Sequence, residues 1–485
     1  MRLTINRQDV RFYPDSKRVI ARFFDHGEIK AKTIITKISS MNDEDVDKSL
    51  NQVLREFSKR HRNITRLFEI HFDQTFVFFV NMDIEPEDLS VSKRLLIGAY
   101  FTMEYSIEST ALFNPSIVEH PDQSSLEEGQ KRIILSFRAT GESHISSIVF
   151  RSGILDKNNN LSIDPRGNYI SEAEIKKEHT YEKTRFAEQL NQMRIQNGMA
   201  TEILNRLGKY FTYTELKEKV TEVRGRSLNL DEQRIIKEIM WLARSHYELL
   251  FSRDTDISER VIFPSSSAER NGIEDARFVK FSDENGDIIY YATYTAYDGF
   301  TILPRLIETK DFFNFKIMPL HGEAARDKNF ALFPRKIKGK YYMLSRFDGI
   351  SHFIMSSDDI TVWETAKILQ EPVFNWELVQ VGNGGSPIET EEGWLVITHG
   401  VGPMRKYCLG ALLLDLENPG KVIGHLREPL LVPNEDEREG YVPNVVYTCG
   451  VLKHNDDLII PYAVSDYASS IASINIDKLL SRLSA

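Results

Sequence analysis

Five polar or charged residues recur at one place in a repeated pattern: Arg138, Asp298, Arg346, His399 and Asp466. Each stands at or just beyond the end of a similar apolar stretch, in KRIILSFRA, DIIYYATYTA, GKYYMLSRF, GWLVITHG and DDLIIPYAV. Carboxylates and imidazoles can move protons, and guanidinium groups can hold anions through two parallel hydrogen bonds. One such residue at a strand end only starts a solvated loop. Five in register predict a shared pocket. Glu274, Asp275 and Arg277 form a second concentration of charge in GIEDAR. Alone, that triplet reads as a solvated ion-pair turn, worth little. Gly272 just before it suits a tight loop that presents side chains into a pocket. The glycine-rich GNGGS at 382–386 lacks the Lys-Ser/Thr of a P-loop and does not open a helix. Histidines and acidic residues do not fall at metal-ligand spacing, so no metal is expected.

The elements that must position these residues change along the chain. Residues 1–37 hold short strand-like pieces, RVIARFF and KTIITKI. Residues 42–110 read as helices: NDEDVDKSLNQVLREFSKRH has an acidic first turn and Val46, Leu50, Val53, Leu54 and Phe57 at helical spacing. SVSKRLLIGAYFTMEYSIEST reads as a second, more apolar helix. From Phe113 to Asp156 the period shortens to two, and SIVEH, RIILSFRA and ISSIVFRS read as consecutive strands. LDKNNNLSIDPRGN is a turn-rich edge. Residues 171–250 show no strand character and read as a helical insertion inside a β domain. From Val261 to Ile476 nearly everything is short strands with polar turns, compatible with a sandwich, a barrel or a propeller. The repeated pattern occurs five times, and about 40–50 residues per four-stranded unit is propeller spacing. The expected division is a mostly helical N-terminal extension over 1–110, a first blade over 111–170, the insertion over 171–250 and the remaining blades over 251–485.

Composition removes whole classes of function. The chain has 485 residues, with Lys+Arg 61 against Asp+Glu 71 and a formal net charge of −10. That argues against a broad nucleic-acid surface, which needs excess Lys and Arg. Hydrophobic residues at 41% and aromatics at 11% argue against disorder. Cys408 and Cys449 are too few for a disulfide framework or a four-thiolate zinc site. The polar start MRLTINRQDVRFYPDSK has no signal-peptide core, and no apolar run approaches membrane-spanning length. A soluble, cytoplasmic protein with a large core is expected.

Eight motifs in order carry a family resemblance: FNPSIV, IILSFR, GIEDARF, YTAYDG, KNFALFPRKIKGKYYMLSRFDG, GNGGSPIETEEGWLVITHGV, YCLGALLLDLENPGKVIG, and VPNVVYTCG with YAVSD. The chain resembles glycoside hydrolase family 130, whose members are β-mannoside phosphorylases and some β-mannosidases on a five-bladed β-propeller. The likeness covers Phe113–Asp156 and Val261–Leu480. The N-terminal region and the insertion are similar to those of a longer branch of the family.

The resemblance implies chemistry. Inverting glycoside cleavage by water needs an acid and a base. A phosphorylase needs only the acid, because inorganic phosphate is already an anionic nucleophile, but it must hold that anion with cations and amides. By resemblance Asp275 is the general acid, passing its proton through the sugar's 3-hydroxyl. Arg138, Lys328, Asn329 and Arg346 match phosphate-facing positions. Lys328 stands where an Arg is common and offers a point charge in place of a fork. Gln380 stands where many phosphorylases have a Lys. His144, Arg151, His399 and the Arg405–Lys406 pair could supply the missing positive charge. Asp466 matches the residue that holds the mannosyl unit, and Asn114, Glu274, Arg277 and Asp298 are further substrate-binding candidates.

No cofactor is implied beyond phosphate as co-substrate. The helical regions suit packing or subunit contact, consistent with a homo-oligomer, and no nucleic-acid or membrane partner is expected. Three readings follow: an inverting β-mannoside phosphorylase, an inverting β-mannosidase with Glu142 or Glu323 as base, and a non-catalytic carbohydrate-binding propeller.

Overall fold

The computed structural model describes residues 3, 5–176, 180–193, 195, 198–225, 228–299 and 302–483. The chain is mainly β, with helices in the N-terminal region, in the insertion and at the C-terminal end. Among the described residues, five larger sheets follow one another along the chain, nearly all of their pairings antiparallel. The first runs in the order Ala111–Glu119, Lys131–Thr140, Ser146–Leu155, Arg260–Ile262 and Ser171–Glu172. The second begins Ile273–Ser282, Ile288–Tyr297, Ile302–Thr309 and Asn314–Pro319. The third comprises Ala331–Leu332, Tyr341–Ser345, His352–Ser357 and Ala366–Gln370. The fourth comprises Gln380–Asn383, Trp394–Val401, Tyr407–Leu414 and Val422–His425, with Ile388–Glu389 beside the second of these. The fifth comprises Val446–Tyr447, Asp457–Val464 and Ala468–Asn475, and the chain's own beginning, Asn6–Phe12, completes it.

Alternation along each strand sends successive side chains to opposite faces. Both faces are buried here, because each sheet packs against two others. Ile134 and Phe150 of the first sheet meet Phe278 and Ala292 of the second. Val279 and Tyr291 meet Leu332 and Met343 of the third. Leu344 and Ile354 meet Trp394 and Val396 of the fourth. Leu395 and Ile397 meet Leu458 and Ile460 of the fifth. Ile459 and Ile471 then return to Ile133 and Leu135 of the first. The five cores therefore run in cyclic order. This explains the near-continuous apolar runs such as RIIL and WLVI, where a one-sided sheet would alternate with polar residues.

The extension does not stand apart from the sheets. Arg7, on the first strand, donates from Nε to Glu437 Oε1 at 3.0 Å, while Tyr462 donates to the same oxygen at 2.6 Å. Helices Glu28–Ser39, Asp43–Phe57, Ile64–Gln74 and Val91–Tyr100 share a separate core around Ile35, Phe68, Phe72 and Ile97. KTIITKI, expected as a strand, lies in the first of these helices. Ala31, Ile35 and Ile38 form its buried stripe, so tertiary burial overrides the β-branched run. The apolar segment expected as one helix stops at Tyr100, and Thr102–Ser106 pairs with Val19–Phe23 as a strand. Glu108, fully buried, then forms an ion pair with Arg18 at 2.8 Å and accepts from Arg151 at 2.9 Å. That triad joins the extension to the first sheet.

Among the described residues the insertion has four helices, Lys183–Gln192, Gly198–Asn205, Tyr213–Arg224 and Leu230–Arg244. The last two begin at capping boxes, Thr212 with Glu215 and Asn229 with Glu232. Their core includes Phe186, Ile203, Leu216 and Ile236. Contrary to expectation, the region contains strands. Thr180–Glu182 pairs with Tyr210–Thr212, and Glu174–Lys176 and Tyr247–Leu250 extend the second sheet. These pieces of three or four residues are too short for a period to show.

Glu108→Gln should leave two buried guanidinium groups without their counter-charge. The expected cost is about 3–5 kcal/mol, read as a lower midpoint in denaturant unfolding. A midpoint equal to wild type would show that the triad does not secure the extension.

Candidate active site

Edge strands of the first, second, fourth and fifth sheets, the approach to the third and the second strand of the fourth bring side chains into a common hydrogen-bonded chain. Asn114 Nδ2 donates to Asp275 Oδ1 at 2.7 Å. Arg277 Nη1 donates to the Asp275 carbonyl at 3.0 Å, and its Nη2 to Tyr447 Oη at 2.6 Å. Tyr447 Oη also accepts from Asn329 Nδ2 at 3.1 Å. Asn329 Oδ1 accepts from the Asn383 backbone at 2.8 Å, and Asn383 Nδ2 donates back to the Asn329 carbonyl at 2.5 Å. His399 Nδ1 donates to the Asn383 carbonyl at 3.0 Å. All five sheets meet in these contacts.

Local backbone geometry aims the side chains. Asn114 and Asp275 lie where strand register shifts, between Phe113 and Ser116 and between Glu274 and Arg277. Such bulges re-aim a side chain out of the pleat. Both residues are left-handed, with φ 49° and 56°, as are Asn329 at 74° and Asp466 at 51°. Asn and Asp tolerate that region better than other non-glycine residues, at a cost that the surrounding structure must offset. Gly272 has φ 122°, and a Cβ there would lie 2.6 Å from Ser146 Oγ. It stands in the tight turn expected just before Glu274 and Asp275. In GNGGS, a Cβ on Gly382 would fall 2.4 Å from Asn329 Oδ1, so close packing under the site accounts for that glycine.

Around Asp275 the predicted cations assemble. Arg138 Nη2 donates to Glu274 Oε1 at 2.9 Å, its Nη1 stands 3.7 Å from Asp275 Oδ1, and it lies over the Phe113 ring. Lys328 Nζ donates to Glu274 Oε2 at 2.6 Å. Glu274, expected to touch substrate, thus holds two of the predicted phosphate cations side by side. Arg346 lies 3.8 Å from Asp327, and its Nε is buried without a partner, leaving donor capacity for a ligand.

The two principal carboxyls are pushed apart. Burial raises the affinity of Asp275 for a proton, but Arg138, Arg277, the Asn114 hydrogen bond and Lys328 together hold it below the usual carboxylate range. Asp466 goes the other way: burial and then the charge of Asp275 push it up to about 6, against Arg138 and Arg405. Of the two, Asp466 rather than Asp275 is the carboxyl that keeps its proton to the higher pH.

Not every predicted residue joins. Arg151 is 3% exposed and paired with Glu108, so its guanidinium serves the extension. His144 and Arg405 are exposed on hairpins of one shape, Glu142–His144 and Pro403–Arg405. Arg405 acts on Asp466 through its charge, whereas the His144 ring lies 5.6 Å from that of Tyr441. His399 is fully buried and held neutral by burial and by Arg346. With Nδ1 donating, its unpartnered Nε2 offers a lone pair and no positive charge. Asp298 ends the matching strand of the second sheet, and its carbonyl accepts from Arg270. Gln380 is half-buried at the start of the fourth sheet, and Glu142 and Glu323 are exposed. The five recurring residues lie at the ends of second strands, one position out from the innermost strands where they were expected. Asn383 and Tyr447 were not singled out, although GNGGS and VPNVVYTCG contain them.

Asp466 carries a stability signature. Its carboxyl moves from a reference of 3.8 to about 6, so its contribution is full below about pH 4 and is lost as pH rises through 6. Asp466→Asn should therefore exceed wild type in stability at pH 8, by up to about 3 kcal/mol, and match it at pH 4. Equal midpoints at both pH values would contradict the raised carboxyl.

Comparison with known proteins supports a family assignment. Residues 230–484 match the family model described as beta-1,4-mannooligosaccharide phosphorylase, glycoside hydrolase family 130. A 1,2-beta-oligomannan phosphorylase of Thermoanaerobacter sp. (strain X514) is 36% identical over 45% of this chain and 74% of its own length. A beta-1,2-mannobiose phosphorylase of Listeria innocua is 32% identical over 46% of this chain and 63% of its own. The solved structure of a Listeria innocua enzyme of that name with beta-1,2-mannobiose aligns at 23% identity with a TM-score of 0.46, over 77% of this chain and 92% of that one. With more than half of its length matched by the family model, the chain belongs to glycoside hydrolase family 130.

Proposed function

We propose that the chain is an inverting β-mannoside phosphorylase built on a five-bladed β-propeller, the blades being the five sheets with cyclically ordered cores. One observation carries the reading: Asp275 stands beside Arg138 and Arg277, and Glu274 next to it gathers Arg138 and Lys328. A carboxyl next to clustered cations suits an acid beside an anion site, with Asp466 as a second carboxyl nearby. The curated relatives of this family segment are named as mannoside phosphorylases.

In this reading Arg346, Arg138, Lys328 and Asn329 hold phosphate, and Asp466 and Asn114 orient the mannosyl unit. A phosphate oxygen bonds to the anomeric carbon from the face opposite the leaving group. The glycosidic C–O bond breaks, and the leaving oxygen takes a proton from Asp275 relayed by the sugar's 3-hydroxyl. The products are α-mannose 1-phosphate and an acceptor shortened by one sugar. Two of the cations that hold Asp275 ionised, Arg138 and Lys328, are among those that would hold phosphate. A bound dianion weakens their effect and raises the affinity of Asp275 for the proton it must deliver. Phosphate thus prepares its own acid. A phosphorylated product is useful inside a cell, which fits a cytoplasmic location.

The deciding experiment incubates the protein with β-1,2-mannobiose and other β-mannosides, with and without inorganic phosphate. Phosphate-dependent mannose 1-phosphate is expected. Free mannose in both arms would mean a hydrolase, and no cleavage of any mannoside would favour a binding role. Asp275→Asn should lower kcat by at least about 10³-fold with the fold intact. Arg346→Ala should raise KM for phosphate by about 10–100-fold and leave that for the mannoside within about threefold. An effect confined to the sugar would contradict its role. The alkaline limb of kcat, which reports loss of the acid's proton in the ternary complex, should lie above the titration of Asp275 observed by NMR without phosphate. Coincidence of the two would remove the proposed coupling.

A further inference from the structure

The turn that delivers Asp275 is tied to a buried ionic cluster outside the pocket. Glu269 is 1% exposed and Arg305 2%, and Arg305 Nη1 donates to Glu269 Oε1 at 2.7 Å. Tyr294 Oη donates to the same oxygen at 2.5 Å and Tyr247 Oη at 2.9 Å. The other oxygen accepts from the backbone N–H of Ser265 at 3.1 Å and of Ser266 at 3.0 Å. Arg305 Nη2 donates to the Ser245 carbonyl at 2.5 Å. Ser245 caps the C-terminal end of helix Leu230–Arg244, the last of the insertion. One carboxylate thus gathers the second sheet, the exit of the insertion and the segment leading into GIEDAR.

The connection onward is short. The Glu269 carbonyl accepts from Gly272 N–H at 2.7 Å. Asn271 and Gly272 then pair with Tyr297 through 3.0 and 3.1 Å bonds, immediately before strand Ile273–Ser282 begins. Asp275 follows in its left-handed bulge, a conformation that persists only where its surroundings impose it. A cavity of about 320 Å³ beside the cluster is lined by Trp241, Arg244 and His246 of the insertion and by Ser265, Ser266 and Ala268. Burying a carboxylate and a guanidinium is a poor way merely to fill space, since apolar residues of like volume often pack as well or better. What the ionic cluster adds is directional restraint on the backbone.

The geometry points to Glu269 as a positioning residue through which the helical insertion holds the turn that aims Asp275. The role rests on the phosphorylase reading, because it assigns Asp275 the acid. Glu269 touches no substrate; it acts through the 265–272 backbone. Its carboxyl is held ionised against burial by Arg305, Tyr294, Tyr247 and the serine N–H group. The neutral isostere Glu269→Gln therefore changes charge and donor matching while keeping volume.

The test compares wild type, Glu269→Gln and Tyr294→Phe, the last removing a single donor if the first is poorly folded. Steady-state kinetics and hydrogen–deuterium exchange of a peptide covering 270–278 are measured together. The expected result for Glu269→Gln is a kcat lower by about 10–100-fold, as small misplacements of a reacting group produce. KM for phosphate and for the mannoside should stay within about threefold, and exchange in 270–278 should be faster. Tyr294→Phe should move both readouts the same way, by less. A lower melting temperature with unchanged kcat and unchanged exchange in 270–278 would overturn the proposal and leave the cluster purely structural. If wild type cleaves no mannoside in either phosphate arm, the phosphorylase reading falls separately. Exchange then decides the anchoring alone, faster in both variants if Glu269 holds the turn and unchanged if it does not.

Discussion

The ion pair between Arg138 and Glu274, with Asp275 alongside, is the constraint on which the rest depends. Charges removed from water lose hydration that only close, well-satisfied partners restore. Here the partners come from different sheets: Arg138 from the first, the two carboxylates from the second, Lys328 from the approach to the third. The charged cluster therefore exists only when the sheets are assembled, and their assembly is what brings opposite charges within reach. The hydrogen-bonded chain through Arg277, Tyr447, Asn329, Asn383 and His399 carries the same dependence around the remaining sheets.

That arrangement also sets how the charge can respond. Arginine stays protonated, so the site keeps its positive character across the physiological range. The carboxyls are the variable groups. Asp275 lies low because cations crowd it; Asp466 lies near 6 because it is buried and faces Asp275. An incoming anion and an incoming sugar would shift the two through different neighbours. His399 adds no charge but offers an acceptor to the same space.

The strand-rich half was legible from its periodicity, and the charged cluster in part from polar residues recurring at strand ends. Asp275, Arg138, Lys328 and Asn329 do come together, with Asn114 beside them. Arg151 misled because a charge on a strand looks the same whether it faces a pocket or a buried partner; its partner Glu108 is 43 residues away. KTIITKI misled because β-branched composition outweighed the wider spacing of its buried residues. The short strands of the insertion left no pattern to find. Tyr447 and Asn383 stayed hidden because neither is charged, and their importance is only that two other side chains reach them.

What the sequence by itself determined was element type over long periodic stretches, the repetition of one unit five times, and the presence of an acid and several cations in recurring motifs. Those are local properties, governed by side-chain spacing and backbone preference. Which strand is innermost, which cation is engaged by a structural carboxylate, and which carboxyl holds its proton were decided only by the tertiary structure. Each depends on distances between residues far apart in the chain, and on burial, which a residue acquires only from the sheets packed around it.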